Sequence, residues 1–183
     1  MNIINLILYD ILFEAKQVGL LYYGAWEESV DKIIMTDTIR STYRDTHEDE
    51  VSYKLGIGNK EYTSLSRNLN WVRKTYGIIF VIDGNKLSQK YRIVPFNYAP
   101  YDYGNSNADE MEERVVGQIK PLSKYLIKII VDWDMFAKAR IKPNFNLLHN
   151  IFKNKKIEHL AKTAMGMDYK RSFLENNDEF NRK

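Results

Sequence analysis

The 183-residue chain contains no cysteine. That absence excludes disulfide bridges, thiolate nucleophiles and zinc–thiolate centres together, and it suits a reducing compartment. Histidine is scarce: His47, His149 and His159 are scattered, so neither a Ser-His-Asp arrangement nor a clustered metal site has local support. His47 lies among acids in "THEDE", where a solvated loop is the simpler reading than a metal ligand. No apolar run approaches the roughly 18–20 residues of a membrane span. The opening "MNIINLILYDILFEAKQ" lacks a basic start and a small-residue cleavage site, and Asp10 and Glu14 interrupt it. It reads as an amphipathic helix over residues 2–16 in a cytoplasmic protein. Neither G-x-G-x-x-G nor G-x-x-x-x-G-K-[ST] occurs, so dinucleotide and P-loop folds lack their signatures.

What is present supports a core. Hydrophobic residues make up 44% and aromatic residues 13% of the chain, enough for one domain with or without an appendage. The net charge of +3 conceals an asymmetry. Residues 136–183 hold 11 Lys and Arg against 5 Asp and Glu, whereas residues 1–135 hold 16 against 19. The chain therefore divides into a core over residues 1–135, N-terminal helix included, and a basic, helical C-terminal extension over 136–183. A basic surface suits nucleic acid or another acidic partner, and Lys153, Lys155 and Lys156 are the residues that would touch it. It is also what an ordinary solvated helix looks like.

The periodicities run helix, strand, helix, strand, helix, a series of strands, then helices. "GLLYYGA" (19–25) reads as a strand and "WEESVDKIIMTDTI" (26–39) as a helix with acids in its first turn. Residues 40–60 form a long polar loop with a short helix near 48–55. "YTSLSR" is a strand, and "NLNWVRKTYG" is a short helix ending at Gly77. "IIFVID" (78–83) is a buried strand and "GNKLSQ" a turn. "YRIVPFNY" (91–98) is a strand that Pro95 marks as an edge or a bend. A second loop covers 99–110. "MEERVVGQI" (111–119) and "KYLIKIIVDW" (124–133) are strands, and 134–172 is mostly helical, with Phe145, Leu148, Phe152, Ile157, Leu160 and Ala161 at helical spacing. This order is mixed α+β, not alternating βαβ.

Three segments place polar or aromatic residues at strand ends: Leu21-Tyr22-Tyr23-Gly24, Thr63-Ser64-Leu65-Ser66-Arg67, and Asp109 to Val116. In the third, adjacent carboxylates repel each other unless a cation neutralises them. Strand alternation puts Glu110, Glu112 and Arg114 on one face and Glu113 and Val115 on the other. Only one of Glu112 and Glu113 can then share a cleft with Arg114. Each segment also has a purely structural reading. Tyr22 and Tyr23 can be packing aromatics. Ser66 or Asn68 can cap the following helix. Arg67 can form a structural ion pair with Glu112 or Glu113.

Taken in order, "LLYYGAWEESVDKII", "YTSLSRNLNW" and "DEMEERVVGQI" resemble the ADP-ribosyltransferase superfamily, in a form similar to uncharacterised tailed-phage proteins. The resemblance covers about residues 19–133 and rests on order and spacing, since each motif alone is short. It implies a split two-sheet fold that binds NAD⁺ as substrate in a cleft, without a metal, and transfers ADP-ribose to a macromolecule, protein or nucleic acid. It further implies that Tyr22, Tyr23 and Gly24 hold the nicotinamide side, that Ser64, Ser66 and Arg67 support the site, and that Glu113 or Glu112 is the catalytic acid. Tyr23 stands where the family has histidine and Ala25 where it has threonine. The alternative is a non-catalytic binding or phage structural module on the same fold. The setting implied is the cytoplasm, that of the host for a phage-encoded chain, or the virion.

Overall fold

The computed structural model describes residues 19–41, 61–95, 111–140 and 155–175. The helix expected over 2–16, the loops over 42–60 and 99–110, residues 141–154 with Lys153, and the C-terminal residues 176–183 lie outside them.

The described residues form a mixed α+β fold with seven strands and five helices: β1 Leu20–Ala25, α1 Glu27–Thr36, β2 Tyr62–Ser66, α2 Leu69–Arg73, β3 Ile78–Asp83, α3 Gly84–Ser88, β4 Ile93–Pro95, β5 Glu112–Val116, β6 Leu126–Asp132, α4 Trp133–Ala139, β7 Ile157–Leu160 and α5 Ala164–Glu175. All seven strands lie in one sheet of order β4-β5-β2-β1-β3-β6-β7. Every pairing is antiparallel except β6 with β7. β1 and β3 align over their whole lengths, from Leu20↔Asp83 to Ala25↔Ile78. β2 and β5 align from Tyr62↔Val116 to Ser66↔Glu112. The two halves of the sheet meet at β1 and β2 through the single register pair Tyr22↔Ser66.

β3 explains why the sheet has two covered faces. Its Ile78–Ile82 run is buried throughout, as expected of a central strand with packing on both sides. Ile78, Phe80 and Ile82 enter the main core with Leu21, Leu65, Val115, Ile129 and Val131, under Val30 and Ile33 of α1. Ile79 and Val81 enter a smaller cluster with Ile130 and Val72 of α2. The segment from Ile119 to Tyr125 closes over the main core. Ile119 bridges to Ile39, and Leu122 and Tyr125 are buried there.

Local chemistry sets the element ends. Asp83 and Asp132 each end a strand and accept from a backbone N–H two or three residues into the next helix, as N-cap carboxylates do. The Asp83 cap converts "GNKLSQ" from the expected turn into α3. Asp132 is buried and also accepts from Arg73 Nε of α2. Pro95 stands in the edge strand, where its missing N–H leaves no ladder bond unmade.

The helical expectation for the C-terminal region is corrected at Ile157–Leu160. This stretch is a strand, pairing in parallel with β6 from Ile129↔Ile157 to Asp132↔Leu160. Helical spacing of Ile157, Leu160 and Ala161 misled because a four-residue edge strand is too short to declare a period of two. α5 then packs back on α4. Phe173 and Trp133 meet at 4.8 Å between ring centroids, and Asp134 accepts from the backbone N–H groups of Lys162 and Thr163 and from Thr163 Oγ1. β7 and Phe173 of α5, both beyond residue 135, thus belong to the same sheet and core as the residues before them. Among the described residues, no helix is long and apolar enough to cross a membrane.

Candidate functional site

The sheet order places the three singled-out segments side by side, as β1, β2 and β5. Tyr22 pairs with Ser66 and Ser66 with Glu112, so these residues form one transverse row across three strands. Directly paired residues share a face, and alternation adds Ser64 and Arg114 to it. Tyr22 packs on the small cluster with α2, which fixes this as the α2 face. Tyr23, Leu65 and Glu113 point to the other side. Tyr23 packs against the main core, its ring 6.4 Å from that of Phe80.

The adjacent acids are therefore separated by the sheet itself, and each has its own cation. Glu112, 7% exposed, accepts from Ser64 Oγ at 2.7 Å and from Arg114 Nε at 3.2 Å, both at Oε1. Among the described residues, Glu112 Oε2 takes no hydrogen bond. The Arg114 guanidinium, itself buried, lies 4.1 Å from the Tyr62 ring centroid, a cation–π contact that holds it beside the carboxylate. Glu113, 3% exposed, accepts from Nε and Nη2 of Arg67 at Oε1. Burial raises the Glu113 carboxyl above its ordinary value, while the bond to Arg67 and that residue's charge pull the other way. Burial, and after it the neighbouring Tyr76, raises the Tyr23 phenol.

The two serines of "TSLSR" have different partners. Ser64 is exposed and serves Glu112. Ser66 is buried and accepts from the Asn68 N–H at 2.9 Å, while Asn68 Oδ1 accepts from the Trp71 N–H at 3.1 Å. Ser66 and Asn68 thus build the turn and cap that launch α2. Arg67 is the ion-pair partner of Glu113, one of the two pairings the sequence allowed.

Gly24 has a packing role. A Cβ there would lie 2.1 Å from the Tyr76 ring, and Tyr76 in turn meets Trp26 at 5.2 Å between ring centroids. The glycine lets the aromatic ring lie flat on β1, on the same face as Tyr22.

The sequence does not single out Tyr76, whereas strand alternation puts Arg114 on the face of Glu112, where the two pair. Of the histidines, His47 and His149 lie outside the described residues. His159 accepts from Trp133 Nε1 at 2.9 Å and stacks on that indole. Among the described residues, no group of three or more His, Cys, Asp or Glu gathers to hold a metal. Compared with protein-family models, curated proteins and solved structures, the chain gives no significant match.

Proposed function

We propose that the α2 face of β1, β2 and β5 is an NAD⁺ site and that the protein is an ADP-ribosyltransferase acting on a macromolecular target. The observation that carries this reading is the row Tyr22–Ser66–Glu112, with Ser64 bonded to Glu112. Segments up to 90 positions apart in the chain bring their candidate side chains to one face in register. β1 and β2 join through a single register pair within the one seven-stranded sheet, and this reading puts the cleft at that line.

Glu112 is the acid in this reading. Ser64 and Arg114 hold Oε1, leaving Oε2 to accept a ribose hydroxyl. As the glycosidic C–N bond breaks, nicotinamide leaves with the electron pair. The carboxylate stabilises the cationic ribosyl carbon that forms. The acceptor's nucleophilic atom then bonds to that carbon and releases its proton to solvent. Tyr22 takes the role expected of Tyr23, because Tyr22 shares the face of Glu112. Arg67 and Glu113 brace the opposite side.

A second reading, a non-catalytic binding module on this fold, is favoured by the Tyr76 ring over Gly24 and by the closed Arg67–Glu113 pair. Calorimetric titration with NAD⁺ and with nicotinamide separates the two. Saturable NAD⁺ binding that Ser64→Ala weakens supports the transferase. No heat at millimolar NAD⁺ rejects it and leaves the binding module.

A further inference from the structure

On the other side of the sheet, over the main core, lies a surface of a different kind. Ile119, Leu122 and Tyr125 turn inward and are buried, so the segment from Ile119 to Tyr125 shows solvent mainly its polar side chains. Lys120 and Lys124 are exposed on it. Two more lysines reach it from other elements. Lys90, just after α3, donates from Nζ to the Lys120 carbonyl at 3.2 Å. Lys155, just before β7, donates from Nζ to the Ser123 carbonyl at 3.4 Å, and the exposed Lys156 follows it in the chain.

The backbone beneath is held in place. The Tyr91 hydroxyl donates to the Lys120 carbonyl at 2.7 Å and accepts from the Lys120 N–H at 3.0 Å. The nearby carboxylates have structural work of their own. Asp37 accepts from Ser123 N and Oγ, both at 2.6 Å, and Asp83 caps α3. Among the described residues, Lys90, Lys120, Lys124, Lys155 and Lys156 form no ion pair with a carboxylate.

We infer that this lysine ridge binds the phosphate backbone of nucleic acid without reading sequence. Ammonium groups without a carboxylate partner, on a braced backbone, gain by releasing the counterions condensed on a polyphosphate. Lysines act here as point charges, without the bidentate fork of arginine, so they contact phosphates and not base edges. Ile119, Leu122 and Tyr125 are buried and Pro121 is the apolar residue of this segment that is exposed, too little apolar surface to enter a bilayer; nucleic acid is therefore favoured over an anionic membrane. The C-terminal lysines alone would be a local charge run. The contact of Lys155 with the Ser123 carbonyl makes it one end of a longer track.

Fluorescence anisotropy with a labelled mixed-sequence duplex tests this on the full chain across a salt series. The expected result is saturable, sequence-independent binding at low salt. Lys90→Glu/Lys120→Glu/Lys124→Glu should weaken it by about 10-fold or more and lower the log–log salt slope by about 2 to 3. The corresponding glutamine variant should do the same to a lesser degree, which guards against misfolding by charge reversal. Lys74→Glu, after α2 on the opposite face, should change neither. No binding at low salt, equal loss in Lys74→Glu, or ridge-dependent binding to phosphatidylserine vesicles in preference to the duplex would overturn the inference.

Discussion

Ser64 on β2 donates its hydroxyl proton to Glu112 on β5 at 2.7 Å, and the neighbouring Glu113 turns to the opposite face to meet Arg67. Two carboxylates adjacent in sequence thus have separate environments. One sits at a surface serine, held at Oε1 by Ser64 and Arg114. The other is clamped within the fold. Different consequences follow for the two.

Arg67→Met should destabilise the protein by about 3–5 kcal/mol at neutral pH, the usual result of leaving a buried charge unpaired. The sign of the pH dependence follows from the raised Glu113 carboxyl. The folded state then holds a proton that the unfolded state has released, so stability is greatest below the ordinary glutamate range and declines as pH rises through the folded value. Removing Arg67 removes both opposing causes and raises that value further. Chemical denaturation should therefore show a smaller loss at pH 4.5 than at pH 7.5, and Glu113→Leu added to Arg67→Met should recover part of the neutral-pH loss.

Gly24→Ala should cost about 1–3 kcal/mol, the range for overpacking a filled site, because the new methyl meets the Tyr76 ring. In a Tyr76→Ala background the same change should be nearly neutral, and the double-mutant cycle reads that coupling. If Gly24→Ala costs as much without the Tyr76 ring, the packing explanation fails.

His159 supplies a pH signature of the opposite sign. Burial, and after it the charge of Lys170, lowers its imidazole to about 4. The neutral ring accepts from Trp133 at Nδ1. A depressed folded value means that the unfolded state takes up the proton first. Stability is then fully present above pH 6.5 and is lost as pH falls toward 4. Thermal melts should fall more steeply across that window in the wild type than in His159→Gln, and Trp133 fluorescence should follow the same titration. A wild-type slope no steeper than that of the variant contradicts the assignment.

Much of the fold was legible because the signals were local and strong. The β-branched run Ile78–Asp83, the Asn68 cap, the edge proline and the opposite facing of Glu112 and Glu113 all follow from period and residue type. What escaped depended on distant partners. β7 exists because Ile157–Leu160 finds the free edge of β6, a match made by tertiary context, whereas its own spacing is helical. α3 depends on one cap from Asp83. At the candidate site, residue types pointed to Tyr22, Tyr23, both serines, Arg67 and both glutamates. Their division between two faces required the register Tyr22↔Ser66↔Glu112. The ring over Gly24 comes from Tyr76, which no spacing rule links to that glycine.

Under the proposed function, Glu112, and not Glu113, is the acid of an NAD⁺-consuming site. The direct measurement is nicotinamide release from NAD⁺ by the wild type, Glu112→Gln and Glu113→Gln, each first checked for folding. The expected result is release by the wild type and a loss of about 100-fold or more in Glu112→Gln, the scale of removing one electrostatic stabiliser from a transition state. In Glu113→Gln the expected change follows stability and not turnover. Release that survives in Glu112→Gln, or none from the folded wild type at millimolar NAD⁺, contradicts the proposal.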